Sequence, residues 1–196
     1  MMITSEAGRK KIESFEGCVL HAYKARPSER YYTIGYGHYG ADVDANMTIT
    51  QAEADRLFQE DLKRFEAAVN DLKMLLTQSQ FDALVDFAYN CGTGALQNAC
   101  KVKDIEVIAK RLPEWCKDAS GAVLRGLQKR RAWEVDQLLS PVLYGIVKAD
   151  VLNIREGAGT DNIIIGSYKE GTRVPVYEAW YRTDRGWISA KYVDVD

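Results

Sequence analysis

Apolar residues recur at helical spacing through the first two-thirds of the chain. Ala7, Ile12 and Phe15 can share one face of a predicted helix over 5–16, and Gly17 is its natural stop. A longer stripe of Ala54, Leu57, Phe58, Leu62, Phe65, Val69 and Leu72 predicts an amphipathic helix, opened by Thr50 and Glu53 as a capping box. Thr77 with Gln80 repeats that signature ahead of Phe81, Leu84, Val85 and Ala88, in a helix that ends around 90–92. Further helices are predicted over 104–112 and 124–139. Only 23–39 breaks the helical period: Pro27-Ser28 marks a turn, Tyr31-Tyr32-Thr33-Ile34 reads as strand, and Gly35, Gly37 and Gly40 supply bends.

The texture changes at Ser140-Pro141. Beyond it, short β-rich runs alternate with glycines: 151–155, 163–168, 173–178, 180–183 and 187–190 read as strands, and Gly157, Gly159, Gly166, Gly171 and Gly186 punctuate them. About fifty residues of short antiparallel strands is the size of a small barrel. The pattern therefore predicts an α+β chain: a mostly helical domain over 1–142 with one small β-element, then a small all-β barrel over 146–196.

Composition narrows the partners. The formal net charge is −2, so bulk attraction to nucleic acid or an anionic membrane is not expected. No run of about 18 apolar residues suggests membrane insertion. Arg9, Lys10 and Lys11 lie near the N-terminus with no apolar segment after them, so the stretch does not read as a signal peptide and synthesis in the cytoplasm is expected. Cys18, Cys91, Cys100 and Cys116 contain no C-x-x-C pair, and His21 and His38 are the only histidines. A zinc site is not expected, and free buried thiols are favoured over a Cys91–Cys100 disulfide.

The densest group of unusual residues lies between Glu16 and His38. Glu16 ends a predicted helix just before a β-element that supplies Thr33. A carboxyl at such a junction can be partly desolvated, and the negative end of the helix dipole disfavours its ionisation, both of which suit a general acid. Taken alone, a glutamate at a helix end is most often a solvated charge. The whole string is more specific. Phe15-Glu16-Gly17, Ala22-Tyr23-Lys24 and Tyr32-Thr33-Ile34-Gly35-Tyr36-Gly37-His38 closely resemble the active-site segment of phage-type lysozymes, the T4-lysozyme-like endolysins of glycoside hydrolase family 24. Met47-Thr48-Ile49-Thr50 with Gln51-Ala52-Glu53-Ala54, Gln80-Phe81-Asp82-Ala83-Leu84, Phe87 through Gly94, and Gly126-Leu127 with Arg130, Arg131 and Glu134 resemble further parts of that family in the same order. The likeness spans nearly all of 5–140.

The resemblance implies hydrolysis of the β-1,4 bond between N-acetylmuramic acid and N-acetylglucosamine, without a cofactor or metal. Glu16 matches the general acid and Thr33 the hydroxyl that helps hold the attacking water. Tyr89 and Asn90 match cleft-lining positions, and Arg130 or Arg131 would approach Glu16. For His38 a structural hydrogen-bonding role is expected. The family's second carboxylate position falls on Ala25, and the segment from there to Thr33 is two residues longer than usual. Glu29, on that lengthened turn, is the favoured replacement, ahead of Asp42 and Asp44. Two rival readings stand beside this one: a lytic transglycosylase working with Glu16 alone, and a wall-binding protein without activity.

The C-terminal part has its own likeness. Leu152 through Gly159, Gly166, Lys169 through Thr172, Gly186-Trp187-Ile188-Ser189 and Lys191-Tyr192-Val193 resemble bacterial SH3-like domains, which commonly bind cell-wall peptides or glycans. Residues 146–196 carry seven basic and eight acidic side chains, so stacking rather than charge would drive binding. Tyr168, Tyr177, Trp180, Tyr181, Trp187 and Tyr192 offer the surfaces, with Trp180 and Tyr181 the chosen contacts. Together these readings describe a monomeric two-domain endolysin that acts on bacterial peptidoglycan in the cell wall and reaches it with the help of a membrane-permeabilising partner.

Overall fold

A computed structural model of the chain describes all residues except 119, 142, 158, 177–179, 184, 190–192 and 196; the side chains of 143, 180–182, 187, 189 and 193–195 also lie outside the description. Two compact units emerge: Met1–Met74 with Ser79–Leu139, and Leu75–Gln78 with Ser140–Asp196.

In the first unit the order is α1 (Glu6–Glu16), β1 (Val19–Tyr23), β2 (Tyr32–Gly35), β3 (His38–Gly40), α2 (Gln51–Asn70), α3 (Gln78–Cys91), α4 (Thr93–Ala99), α5 (Ile105–Arg111), a 3-10 turn (Leu112–Trp115) and α6 (Arg125–Leu138). The face that α1 buries is Gly8 and Ile12, whereas Ala7 is exposed. Gly8 sits there because α1 runs against α3: a Cβ on Gly8 would lie 2.5 Å from Cγ of the buried Asp82. The same carboxylate accepts the Ser5 hydroxyl, while Ser5 Oγ accepts the Gly8 N–H and caps α1. Gly17 ends the helix at φ 68°, ψ 170°, a conformation costly for residues with a Cβ, and turns the chain from Glu16 into β1.

Strands β1, β2 and β3 form one antiparallel sheet in that order, with Val19 opposite Gly35 and Thr33 opposite Tyr39. Its inner face packs Ile34, Val43 and Ile49 on Ala54 of α2. The expected capping box is formed: Thr50 accepts the Glu53 N–H and the Glu53 carboxylate accepts the Thr50 N–H. The stripe Ala54, Phe58, Leu62, Phe65 and Val69 is buried as its period requires. Every residue of α3 from Gln80 to Ala88 is buried, which makes α3 the central helix of this unit. Strand β1, α4 and the 3-10 turn were not legible in the hydrophobic pattern; β1 takes its partners from β2, 10 to 16 positions away, and from Met47–Ile49, 25 to 29 positions away.

The second unit contains β4 (Leu143–Val147), β5 (Val151–Arg155), β6 (Ile164–Lys169), β7 (Arg173–Val176), β8 (Trp180–Thr183), β9 (Gly186–Ser189) and β10 (Val193–Val195). A closed barrel was expected here. Among the described residues the strands instead form two separate antiparallel sheets, β10-β4-β7 and β6-β5-β9-β8, with no ladder joining them. Alternation along β5 points Leu152 and Ile154 into a core shared with Val147, Tyr168, Val174 and Ile188. Tyr168 is thus a core residue, its hydroxyl 2.9 Å from Thr183 Oγ1.

Candidate active site

The Glu16 carboxyl sits at the C-terminal end of α1, 22% exposed, on the wall of an open cavity of about 370 Å³ that Phe15, Asn90, Leu127, Lys129 and Arg130 also line. Arg130, from α6, is buried and reaches it across the unit: Nη1 donates to Glu16 Oε1 at 2.6 Å. Nε and Nη2 of this guanidinium are engaged by Asp86 on α3, with Nη2 donating to Oδ1 at 2.7 Å and Nε to both carboxylate oxygens at 3.1 Å. Phe15 lies under the cation, 5.2 Å from ring centroid to guanidinium carbon, and is itself braced edge-on by Trp133. Burial opposes the charge on Arg130, but Asp86 and Glu16 more than offset it and hold its pKa above the ordinary value. Glu16 thus stands partly buried at a helix–sheet junction, with a fixed guanidinium as a hydrogen-bond partner.

The sheet begins three residues after Glu16, and Thr33 lies half-buried in its middle strand. Asn90 is on the cavity wall beside Glu16. Tyr89 is employed differently: its hydroxyl donates to the Tyr36 carbonyl at 2.8 Å, and its ring packs on Phe58 and Phe65, so it clasps α3 to the β2–β3 turn. Burial pushes the Tyr89 hydroxyl pKa up, and the nearby Glu16 carboxylate pushes it the same way. Of the two candidate arginines only Arg130 meets Glu16. Arg131 turns into the core, where Nη2 donates to Glu134 Oε1 at 2.5 Å and Nη1 lies 2.8 Å from Cys91 Sγ.

Glu29 folds back on its own turn. Its Oε2 accepts the Ala25 N–H at 3.0 Å, while Lys24 Nζ donates to the Glu29 carbonyl. A carboxylate thus stands against residue 25 although the side chain there is only a methyl. His38 Nδ1 lies 2.8 Å from Asp61 Oδ2 and Nε2 3.0 Å from Asp42 Oδ2, so Asp42 is occupied by His38. All four cysteines are free; Cys100 and Cys116 are buried, Cys18 and Cys91 half-buried. Among the described residues no cluster of His, Cys, Asp or Glu could hold a metal ion, and no helix is long and apolar enough to cross a membrane. In the second unit β8 carries Trp180 and Tyr181, but their side chains, and that of Trp187, lie outside the described residues, as do Tyr177 and Tyr192 entirely.

Asp86 was not singled out from sequence, and Glu134 entered only as part of a motif. Gln78, Asp82, Asp86 and Asn90 fall every fourth residue along α3, a spacing that reads as an ordinary polar helix face, whereas Asp82 and Asp86 are in fact buried.

The model of the phage lysozyme family matches residues 13–134. An endolysin of Bacillus phage PZA is 45% identical over 139 residues, covering 68% of this chain and 54% of the relative. An endolysin of Lactococcus phage c2 is 41% identical, covering 72% and 62%. The chain thus spans about half to three-fifths of the length of these relatives. Among solved structures, the muramidase domain of SpmX from Asticcacaulis excentricus superposes with TM-score 0.66 at 33% identity, over 72% of this chain and all of that one. An endolysin from Escherichia coli O157:H7 phage FAHEc1 gives 0.61 at 34%, over 71% and 94%. With that match running from the end of α1 to Glu134 in α6, the chain belongs to the phage lysozyme family.

Proposed function

We propose that this chain is an endolysin that hydrolyses the β-1,4 bond between N-acetylmuramic acid and N-acetylglucosamine in bacterial peptidoglycan, as a glycoside hydrolase of family 24 with Glu16 as general acid. The observation that carries the reading is Glu16 and Arg130 together on the cavity wall, with the buried Asp86 holding Arg130 from behind. Arg130 gives Glu16 a single N–H and takes only Oε1, which leaves Oε2 for a glycosidic oxygen. Relatives named endolysins and a neighbour named as a muramidase domain support the same chemistry. Thr33 is assigned to the attacking water. Glu29 is assigned the second carboxylate, because its oxygen already stands at the backbone of Ala25, the position the family pattern reserves for that group. Asn90 lines the sugar site, with Tyr89 behind it. Residues 1–142 form the cutting domain, and 146–196 an SH3-like wall-binding domain using Trp180 and Tyr181. The protein acts as a monomer and reaches the wall with the help of a membrane-permeabilising partner.

General acid catalysis typically contributes about 10²–10⁴-fold. The Glu16→Gln variant should fold normally and lose wall-cutting activity by that factor. Mass spectrometry of the fragments should find reducing ends made by water. Near-normal cutting by a folded Glu16→Gln protein removes the assignment, and 1,6-anhydro ends would make the enzyme a transglycosylase.

A further inference from the structure

Behind the Glu16–Arg130 pair lies a second layer of charge that the reaction does not touch. Asp86 and Glu134 are both 0% exposed. Glu134 Oε1 accepts from Arg131, but Oε2, equally buried, has no donor beside it among the described residues. Arg131 Nε likewise has no acceptor. A carboxylate would be expected to use that N–H and bind the guanidinium edge with both oxygens; Glu134 uses one, and the carboxyl of Asp86 lies within hydrogen-bonding reach of it. Two buried carboxylates in contact repel unless a proton lies between them.

A proton shared by these two fully buried carboxyls must sit on one or the other. Asp86 cannot readily take it, because both its oxygens already accept from Arg130. Glu134 has the unused oxygen.

We propose that Glu134 is a positioning residue that stays protonated at neutral pH and donates from Oε2 to the Asp86 carboxylate, fixing the anion that in turn aims Arg130 at Glu16. Among the described residues the charged and titratable groups of this cluster are Asp86 and Cys91 from α3, Arg130 and Arg131 from α6, and Glu16 from α1 at the far end. Burial first, then the Asp86 contact, raise the Glu134 pKa to about 10, with Arg131 acting against them. In the unfolded chain a glutamate titrates near its ordinary value of about 4.3. At pH 7 folding must therefore take up one proton at this residue.

The catalytic consequence rests on the muramidase reading; the proton does not, so the two can fail separately. Glutamine reproduces a protonated glutamate, with an N–H for Asp86 and an oxygen for Arg131. In the full-length protein, proton uptake on refolding at pH 7 should be close to one proton greater for wild type than for Glu134→Gln. Contributions from other groups, His38 included, cancel in the comparison. The ratio of the two folding equilibrium constants should change about tenfold per pH unit above pH 5, in favour of the glutamine variant as pH rises. For wall cutting, Glu134→Gln should rescue most of the turnover that Glu134→Ala loses and should move the alkaline limb of the pH profile upward. Equal proton uptake by the two proteins, or a glutamine variant as impaired as the alanine one, overturns the proposal, and the uptake measurement decides the matter even if Glu134→Ala does not fold.

Discussion

Removing the Asp61 carboxylate should weaken the first unit in a pH-dependent way. His38 lies between two carboxylates, and the pairs are not equivalent: Asp61 is 15% exposed and Asp42 66%. Burial works against the imidazolium, but Asp42 and Asp61 outweigh it and raise the His38 pKa above its ordinary value. A raised pKa means that the stabilisation is complete below about 6.5, the unfolded value, and is lost as pH climbs through the folded value. A hydrogen bond to a charged group contributes about 1.5–3 kcal/mol. Because the ring edge and Asp61 both keep some contact with water, the low end, about 1.5 kcal/mol, is expected for Asp61→Asn at pH 6. Asp42→Asn should cost less than about 1 kcal/mol, as exposed pairs do. Urea unfolding read at 222 nm suits the test, since every helix belongs to the first unit apart from the first residue of α3. The gap between wild type and Asp61→Asn should narrow as the pH is raised from 6 into the alkaline range. Equal costs at Asp61 and Asp42, or a gap that stays constant with pH, would refute the reasoning.

Arg130→Ala leaves Asp86 buried without its cation and should cost about 3–5 kcal/mol in chemical denaturation, together with loss of wall cutting. Gly8→Ala should destabilise by about 1–3 kcal/mol, the usual cost of overpacking, where an exposed helical glycine would gain from the same change; a raised Tm would show that α1 can move off Asp82. Glu29→Gln should lower turnover by about tenfold or more if Glu29 is the second carboxylate, whereas Asp42→Asn, on a group engaged by His38, should leave turnover unchanged; the reverse ranking would transfer the role.

Much of the first unit could be read from the chain because its signals are local. Ser5, Thr50 and Asp104 cap helices through neighbours three residues away, and the α2 stripe repeats every turn. Failures fall where the partner is distant. The face buried by α1 was misread because Gly8 contributes no apolar side chain, only room for Asp82. Strand β4 was passed over because Gly145 breaks its apolar run, although both of its neighbours, β7 and β10, pair along that stretch. That the described strands of the second unit pair as two sheets is a matter of which edges meet, and the alternation within a strand carries no information on that. At the site, Glu16 was picked out through the string around it, but the Asp86–Glu134 layer was passed over: Asp86 falls between two motifs on what reads as a polar face of α3, and Glu134 was taken only as part of a motif in the polar helix α6.

The Glu16–Arg130 contact joins residues 114 positions apart, and Arg130–Asp86 joins residues 44 apart. Chain closure over such spans costs about 4 and about 3 kcal/mol of entropy beyond a common constant, so the inner contact is the cheaper to form and the outer one follows it. During translation α1 emerges first, yet Glu16 has nothing to dock on until α6 has left the ribosome. A growing chain therefore carries Glu16 long before it carries Arg130, and a product truncated ahead of α6 lacks the cation with which Asp86 pairs. On the proposed reading such a fragment should not cut, and activity should appear only once α6 has been made.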